Sequence, residues 1–458
     1  MNIIGLDIGT TTICAAVIDS GSGDTLKSVT LDNDAFIESG RAYEKIQSPQ
    51  VILNKCAVLV SELTEEFAPV RCIGVTGQMH GILYYDKNGC AISPLYTWQD
   101  ESGNQLFEGG MTYAQKLSEL TGHKMAAGYG CTTYFVHQRN GSVPENTVGF
   151  CTIHDYVSMR LAEKTAPLVH TSDAASFGLF DISGLCFDET AVERAGLDIS
   201  LFPKVTKGFD TVGVYGGGIP VAVAIGDNQA SFLGSVSDMK NSVLVNLGTG
   251  GQISFLTDAP GSGLTAEPVS LETRPCFLDS YLRVGSSLCG GRAFAILESF
   301  MRETAELVTG KKIKSAYPAM DRFLENGMGL DGALTVSTRF AGTRSDPNTR
   351  GSITRVGLDN FTPRHLIVGF LDGMVTELEE MYVSCEHGAH TKIVGSGNGL
   401  RKNKALRRMF EAHFRMPMAV PAYCEEAAFG AALFGMTAAG IKKDIYEAQK
   451  LIKYNYAD

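Results

Sequence analysis

The chain has 458 residues, of which 44% are hydrophobic and 19% charged, and its formal net charge of -11 includes no dense basic block. This argues against nucleic acid or an anionic membrane as the main partner, and no apolar run reaches the roughly 18 residues that a membrane span requires. The length indicates two domains, and the N-terminus lacks a secretion-signal pattern because Asp7 interrupts it, which indicates a cytoplasmic enzyme.

The cysteines narrow the class of protein further. They number eleven, are scattered from Cys14 to Cys424, and include no CxxC pair. This spacing fits neither a disulfide framework nor a cysteine-ligated zinc site, so most of these side chains are predicted to be small buried hydrophobes.

Residues 1–19 are predicted to form a β-hairpin, because MNIIGLDI and ICAAVID are apolar strands and GTTT between them supplies a turn. The segment 243-VLVNLGTGGQISFL-256 repeats this plan and aligns Asn246 with Asp7. Similarity about half a chain length apart indicates two duplicated domains that each begin with a hairpin. The alternative is a coincidence between two glycine-rich hairpins, which are common.

The rest of the chain has the pattern of an α/β protein. Further strands, each ending in Gly or Asp, are expected at 71–77, 221–227 and 391–397. Helices are expected at 363–383 and 402–414, and turns or connections at 137–150 and 207–220. Thr362 and Pro363 are the expected cap and first turn of the longer helix. Ligands of such a protein bind at the strand ends.

Both hairpin turns are candidate phosphate sites, since Gly and Thr offer backbone N–H groups and hydroxyls without steric cover. The predicted phosphate-binding residues are Thr10, Thr11, Thr12, Gly248, Thr249, Gly250 and Gly251. No GxxxxGK[ST] pattern is present, which argues against a P-loop fold. A third glycine-rich segment, 395-GSGNG-399, could approach an adenosine or could allow tight packing at a helix start.

Two carboxylates at strand ends are candidates for the chemistry. Asp7 precedes the first turn and could hold Mg²⁺ directly or through water, because that ion takes only one or two protein carboxylates. The alternative is that Asp7 accepts hydrogen bonds within its own turn. Asp227 could take the proton of an acceptor hydroxyl during phosphoryl transfer, or it could cap the following helix.

Two other segments carry residues suited to a sugar, which presents hydroxyls and C–H faces. In TGQMHG, a strand end brings Gln78, Met79 and His80 onto one turn. In TWQDE, the only tryptophan, Trp98, stands close to the carboxylate of Asp100. His80 and Trp98 could also be core residues, which is the common fate of such side chains.

These segments together resemble the FGGY family of carbohydrate kinases over nearly the whole chain. The matching segments are, in order, IGLDIGTTT, VTGQMHG, TWQD, HDYVSMRL, TSDAASFGLFD, IGDNQAS, NLGTGGQ, FAGTRSDPNTRGSI, VGSGNG and EEAAFGAALFG. Their order makes the resemblance specific. Within the family, TGQMHG and TWQD are most similar to sedoheptulokinases and xylulokinases.

The resemblance implies an α/β protein with the two-domain actin-like ATPase (ribonuclease H-like) fold, duplicated domains and an interdomain cleft. It implies a sugar and phosphate domain at 1–232 and a nucleotide-binding domain at 233–458. ATP and Mg²⁺ are the implied cofactors, and a sugar and ATP the implied partners. A homodimer would agree with the family.

Carried over position by position, the resemblance also suggests roles for single residues. Asp227 resembles the general base and Asp7 the Mg²⁺-associated aspartate, while the two threonine and glycine turns match the phosphate sites. Met79 and His80 match the sugar-contacting pair, and Asn228 lies across the sugar from them. The residues that match the adenosine region are Gly290, Gly291, Gly397, Asn398 and Asn403.

The expected function is ATP-dependent phosphorylation of a ketose, with sedoheptulose as the leading acceptor. The alternatives are a xylulokinase or another sugar or polyol kinase and, from a different class, a non-metabolic actin-like ATPase. One departure concerns the substrate: relatives typically carry an Arg shortly after Trp-x-Asp, whereas this chain reads Asp100-Glu101-Ser102. A usual contact or salt bridge is therefore absent there.

Overall fold

The computed structural model describes residues 1–258, 260, 271–325, 330–343, 346, 348–385 and 387–456. Three residues of one family-like segment, 344, 345 and 347, lie outside this range. The chain divides into two compact units. The first contains Met1–Ser237, Arg274–Tyr281 and Glu425–Ile452, and the second contains Asp238–Thr273, Leu282–Cys424 and Lys453–Asp458. The domain ranges 1–232 and 233–458 stay a prediction.

The first unit begins with sixteen strands and seven α-helices. The strands are β1 (Asn2–Ile8), β2 (Thr12–Asp19), β3 (Thr25–Asp32), β4 (Phe36–Ile37), β5 (Ile46–Gln47), β6 (Val70–Gly77), β7 (Leu83–Tyr85), β8 (Leu95–Tyr96), β9 (Gly149–Cys151), β10 (Leu168–His170), β11 (Phe180–Asp181), β12 (Cys186–Phe187), β13 (Lys204–Thr206), β14 (Thr211–Tyr215), β15 (Ile219–Ala222) and β16 (Ile225–Gly226). The helices are α1 (Pro49–Glu66), α2 (Tyr113–Thr121), α3 (Gly130–Asn140), α4 (Ile153–Leu161), α5 (Thr171–Ala174), α6 (Glu189–Ala195) and α7 (Asp227–Ser235).

The main sheet of this unit has the order β14-β15-β6-β1-β2-β3, and β16 also pairs with β6. Strands β1 and β2 are antiparallel, which confirms the predicted N-terminal hairpin, and β1 and β6 are parallel. The β1 and β2 side chains are mostly buried, as the near-continuous apolar runs of central strands require. The hairpin is therefore the centre of the sheet rather than its edge.

The second unit repeats this arrangement. Its strands are β17 (Ser242–Leu247), β18 (Gly251–Thr257), β21 (Thr335–Ser337), β22 (Ser352–Thr354), β23 (Lys392–Ser396), β24 (Met418–Pro421) and β25 (Tyr454–Tyr456). Two further strands, β19 (Leu271–Phe277) and β20 (Ser280–Ser287), are divided between the two units, because Arg274–Tyr281 belong to the first. Its helices are α8 (Gly290–Thr309), α9 (Tyr317–Glu325), α10 (Pro363–Val383), α11 (Asn398–Lys402) and α12 (Lys404–Phe414). The sheet order is β19-β20-β18-β17-β23-β24-β25, with β17 antiparallel to β18 and parallel to β23. The second predicted hairpin is thus confirmed.

Helix α13 (Glu426–Ala438), followed by α14 (Ile445–Gln449), belongs to the first unit although it follows the second unit in sequence. Its residues are apolar on all sides and mostly buried. A Cβ added at Gly5 or Gly74 would lie 1.8 Å from the carbonyl oxygen of Ala428 or Ala431. Glycine in β1 and β6 therefore lets the helix backbone lie directly on the sheet.

Several predicted boundaries are correct and others are wrong. Helix α10 runs over the predicted 363–383, with Thr362 as N-cap. The predicted connection 207–220 instead contains the β14–β15 hairpin, because TVGVY and IPVA pair across Gly216–Gly218. Residues 137–140 end α3 rather than forming a turn. The predicted helix 402–414 starts at Lys404, since Asn403 is its N-cap.

The burial of the cysteines agrees with the prediction from the sequence. All eleven cysteines are free and most are buried, as predicted. Within the described ranges, no helix is both long and apolar enough to cross a membrane.

Candidate active site

The carboxyl ends of three parallel strands bring the predicted catalytic and sugar-binding segments together in the first unit. Strand β6 pairs with both β1 and β16, and Thr76 stands opposite Asp7 on one side and Ile225 on the other. The Thr76 hydroxyl donates to the carbonyl of Ile225 at 2.7 Å. Asp7, the turn after β6, and Asp227 after β16 therefore lie at one edge of the sheet, where α/β proteins bind ligands.

Asp227 is the first residue of α7 and is exposed to solvent. The N-cap of this helix is Gly226, and the Asp227 carboxylate accepts a hydrogen bond from the backbone N–H of Asn228, so it also has a local role at the start of the helix. Enough protein surrounds the carboxyl for desolvation to raise its pKa, and Arg274 and His154 oppose that rise. A carboxylate that remains accessible and has a cation beside it is suited to accept a proton from a ligand.

Asp7 lies in a cluster of negative charge at the end of β1. Burial, with the charges of Asp227 and Glu425, raises the pKa of Asp7 to about 7. Within the described part of the chain no group donates a hydrogen bond to this carboxylate, so a purely local turn role finds no support. A bound cation would relieve the repulsion between these acids.

The turn after β6 holds its polar side chains in a fixed geometry. Gln78 and Met79 are buried, and the sulfur of Met79 packs against Gly226, next to Asp227. His80 has a left-handed backbone (φ 72), and its Nδ1 lies 2.8 Å from the carbonyl of Ser176. Non-glycine residues rarely adopt such a φ, and strain of this kind concentrates at functional sites.

A hydrogen-bonded network joins this turn to the first phosphate turn. The Thr10 hydroxyl donates to Gln78 Oε1 at 3.2 Å and accepts from Trp98 Nε1 at 2.9 Å. Gln47, which is fully buried, donates to the Thr10 carbonyl at 2.8 Å and accepts from Gln78 Nε2 at 2.8 Å. Two predicted sugar-binding residues and one predicted phosphate-binding residue thus form one connected unit.

The other predicted site residues of this unit differ in their exposure to solvent. Thr11 and Thr12 are exposed, so their hydroxyls face solvent where a phosphate could reach them. Trp98 is 48% exposed and presents much of its ring, and Asn228 is buried beside Asp227.

Asp100 is placed differently from the prediction. It is 1% exposed, and its carboxylate accepts from the backbone N–H of Lys45 at 3.2 Å and of Ser102 at 3.0 Å, and from the Ser102 hydroxyl. Burial raises its pKa, and these hydrogen bonds lower it. Its oxygens are occupied in holding the loop around Trp98, and we do not place it among the sugar-contacting residues.

In the second unit, the turn between β17 and β18 lies against the start of α8. The backbone N–H of Gly291 donates to the Gly248 carbonyl at 2.9 Å, and a Cβ on Gly290 would lie 2.4 Å from the Gly250 backbone. Gly248 and Thr249 are exposed. The turn therefore combines free surface with a nearby helix N-terminus, and both features favour a bound phosphate.

The third glycine-rich segment follows β23 beside the same turn. Gly397 has φ 84, and an added Cβ would lie 2.6 Å from the Leu247 carbonyl, so this position requires glycine. Asn398 is exposed. The Asn403 side chain accepts from the N–H of Leu406 at 2.9 Å as the cap of α12, a structural use that the sequence did not indicate.

Three residues near the catalytic edge were not predicted. Gln47 and Glu425 act on Thr10 and Asp7, and Arg274 acts on Asp227. Gln229 donates to the carbonyl of Pro275 at 2.7 Å and so anchors the segment that carries Arg274. Glu425 begins the family-like segment EEAAFGAALFG, but Gln47 and Arg274 belong to no motif.

Comparisons with known proteins identify relatives of this chain. A family model described as the N-terminal domain of the FGGY family of carbohydrate kinases matches residues 2–234. The chain is 27% identical to the sedoheptulokinase of Mus musculus over 469 residues, covering 94% of this chain and 96% of that protein. It is 26% identical to the Homo sapiens sedoheptulokinase over 470 residues, with the same coverage.

Among solved structures, a xylulose kinase from Lactobacillus acidophilus matches 99% of this chain and 92% of its own, with a TM-score of 0.82 at 18% identity. At this identity the likeness concerns the fold. It confirms the predicted α/β fold of the two-domain actin-like ATPase type.

Proposed function

The chain belongs to the FGGY family of carbohydrate kinases, and on that premise we propose that it transfers the γ-phosphate of ATP to a terminal hydroxyl of a ketose, with sedoheptulose as the acceptor. Membership makes it an ATP-dependent sugar phosphotransferase. The choice of sedoheptulose is supported by relatives of that name that align over 94% of the chain. The reaction is supported above all by Asp227, an accessible carboxylate beside Met79 and Arg274.

In the proposed reaction the sugar hydroxyl oxygen attacks the γ-phosphorus and forms a new P–O bond. The bond between the γ-phosphorus and the bridging oxygen breaks, and ADP leaves with the electron pair. The hydroxyl proton passes to Asp227, which must therefore be ionised at the start. Arg274 and His154 favour that ionised form, and they oppose the effect of desolvation on its pKa.

The residues at the end of β1 fit a divalent cation. Asp7 carries a pKa raised to about 7 by burial and by two neighbouring acids, and a cation would restore its ionised form. Mg²⁺ held there would neutralise charge on the transferred phosphates. Thr11 and Thr12 would donate hydroxyl hydrogen bonds to phosphate oxygens.

The second unit would contribute backbone N–H groups. Its turn at Gly248–Gly251 and the N-terminus of α8 at Gly290 are suited to phosphate, and the surface at Gly397 and Asn398 is suited to the nucleoside. For the sugar, the exposed ring of Trp98 offers an apolar face, and Gln78, His80 and Asn228 offer polar groups.

An ADP-release assay across ketoses, aldoses and polyols tests this proposal. Sedoheptulose should give the highest kcat/KM, and phosphorylation at a terminal carbon should be visible by ³¹P NMR. A clear preference for xylulose or for a sugar acid would reject sedoheptulose and keep the kinase. ATP hydrolysis that is independent of every added sugar would instead favour the non-metabolic ATPase.

A further inference from the structure

A second group of metal-ligating side chains lies inside the first unit, and its two carboxylates have no assigned part in the proposed phosphoryl transfer. It consists of His154 and Asp155 at the start of α4 and Asp173 in α5. One ligand atom from each lies within 4.8 Å of the other two. The exposed fractions are 0%, 2% and 0%, so the group is closed to bulk solvent.

The polar atoms of this group are not satisfied by the described protein. Nε2 of His154 lies 2.9 Å from Oδ1 of Asp173, yet neither ring nitrogen and neither Asp173 oxygen has a partner in hydrogen-bond geometry. Asp155 uses one carboxylate oxygen to accept from the Thr152 hydroxyl at 2.7 Å, and its other oxygen has no partner. Buried polar groups are normally paired, so these atoms indicate something that the protein itself does not supply.

The negative charge of the two carboxyl groups favours a cation over a water molecule at this position. Two carboxyl groups, those of Asp155 and Asp173, are enclosed by protein. A water molecule would leave this pair either protonated or uncompensated, whereas a divalent cation compensates both carboxylates.

We propose that His154, Asp155 and Asp173 bind one structural divalent transition-metal ion of the Zn²⁺ or Mn²⁺ type, at a site separate from the Mg²⁺ of ATP. An imidazole nitrogen with two carboxylate oxygens is a donor set that these ions accept, and Mg²⁺ prefers oxygen alone. Nε2 of His154 and Oδ1 of Asp173, 2.9 Å apart, are close enough to bind the same ion.

The position of the group indicates which elements the ion would hold together. A Cβ on Gly77, at the end of β6, would lie 3.1 Å from the Cβ of His154. The hydroxyl of Ser172, next to Asp173, accepts from the N–H of Gly226 at 3.1 Å. The ion would therefore join α4 and α5 directly behind the strand ends that carry Asp227.

The test uses the full chain, expressed without a metal-binding tag and purified without added metal. Elemental analysis should find about one Zn or Mn ion per chain. Removal with a chelator and return of Zn²⁺ or Mn²⁺ should lower and then raise Tm by roughly 5–10 °C, in the absence of nucleotide. Mg²⁺ alone should restore much less.

Matched substitutions locate the ion. Asp173→Asn keeps the shape of the side chain and should lose the ion and the Zn²⁺-dependent shift in Tm. Asp7→Asn is the control, because it makes the same change at the proposed Mg²⁺ residue and should keep the ion. Loss of the ion in Asp7→Asn but not in Asp173→Asn would place it elsewhere and overturn the proposal.

Two further measurements test the proposal if Asp173→Asn does not fold or if the wild type contains no metal. If Asp173→Asn does not fold, a zinc titration of the metal-free wild type at pH 6 and pH 8 replaces it, and the affinity should rise with pH because the ligands must lose protons. A wild-type protein without bound metal, and with a Tm unaffected by Zn²⁺ and Mn²⁺, would show that the group is protonated and metal-free. Neither result depends on which sugar is phosphorylated.

Discussion

The two threonine- and glycine-rich turns follow equivalent hairpin strands, but different interactions hold them. The first follows Asp7, and buried side chains support it: Gln47 donates to the Thr10 carbonyl, and Asn33 donates to the Gly9 carbonyl at 2.8 Å. The second follows Asn246, and close backbone contact with Gly290 supports it. A turn that is held by side chains can keep a neighbouring charged group in one orientation. In the second turn the N–H of Gly248 donates to the Gly250 carbonyl at 3.0 Å, so the backbone itself holds the turn.

This difference suggests a division of roles. Acidic groups, namely Asp7, Asp227 and Glu425, gather at the edge of the first sheet, whereas the second turn has a neutral amide at the matching place and a helix N-terminus beside it. Our proposal therefore assigns proton transfer and metal binding to the first unit. It assigns binding of phosphate and of the nucleoside to the second unit.

The largest expected effect comes from Asp227→Asn, which keeps the shape of the side chain and removes the base. We expect kcat to fall by about 10²–10⁴ with nucleotide affinity unchanged. The measurement is steady-state turnover together with ADP binding by calorimetry. Asp359→Asn, an exposed aspartate in the second unit, is the matched control and should leave both unchanged. Turnover near the wild-type value would remove Asp227 from the mechanism.

Exchanging Asp7 and Asn246, the residues before the two turns, tests the difference between the turns directly. Asp7→Asn should lower kcat by about 10²-fold and raise the Mg²⁺ concentration needed for half-maximal rate, because the cation loses its anionic partner. Asn246→Asp should instead raise KM for ATP roughly tenfold, since a new negative charge faces the phosphates. Rates are measured over a Mg²⁺ titration at saturating sugar. Equal effects of the two changes on the Mg²⁺ requirement would mean that the turns are equivalent.

A smaller effect is expected from the side-chain support of the first turn. Gln47→Leu leaves the Thr10 carbonyl and the Gln78 amide without their partner, at a cost of about 1–3 kcal/mol in unfolding free energy. Because Gln47 joins both segments, KM for the sugar should rise together with KM for ATP. Gln50→Leu on α1 is the control, since Gln50 is exposed. Stability and both KM values are measured by denaturant unfolding and kinetics; a loss of stability alone would make Gln47 purely structural.

The sequence allowed prediction of what is local or repeated. Both hairpins follow from apolar runs broken by Gly and Thr, and α10 follows from its Thr362 cap. What depends on distant contacts was not predictable from one sequence. Gln47 reaches Gln78 across 31 positions, and α13 joins the first unit only because glycines in β1 and β6 accept its backbone.

The smallest expected effect concerns the pH dependence of the first unit. The proposed reaction requires ionised Asp227, whose pKa is raised by desolvation and lowered by Arg274. The rate should therefore be lost as pH falls through this raised pKa. Arg274→Gln removes the cation, so the acid limb of kcat/KM should move to higher pH while the plateau falls less than in Asp227→Asn. Profiles from pH 4 to 9 measure the shift, with Arg71→Gln, an exposed arginine on β6, as the control. If the plateau fell while the acid limb stayed at the same pH, Arg274 would be assigned to substrate binding rather than to the ionisation of Asp227. The charges near the first turn would then be those of Asp7 and Glu425.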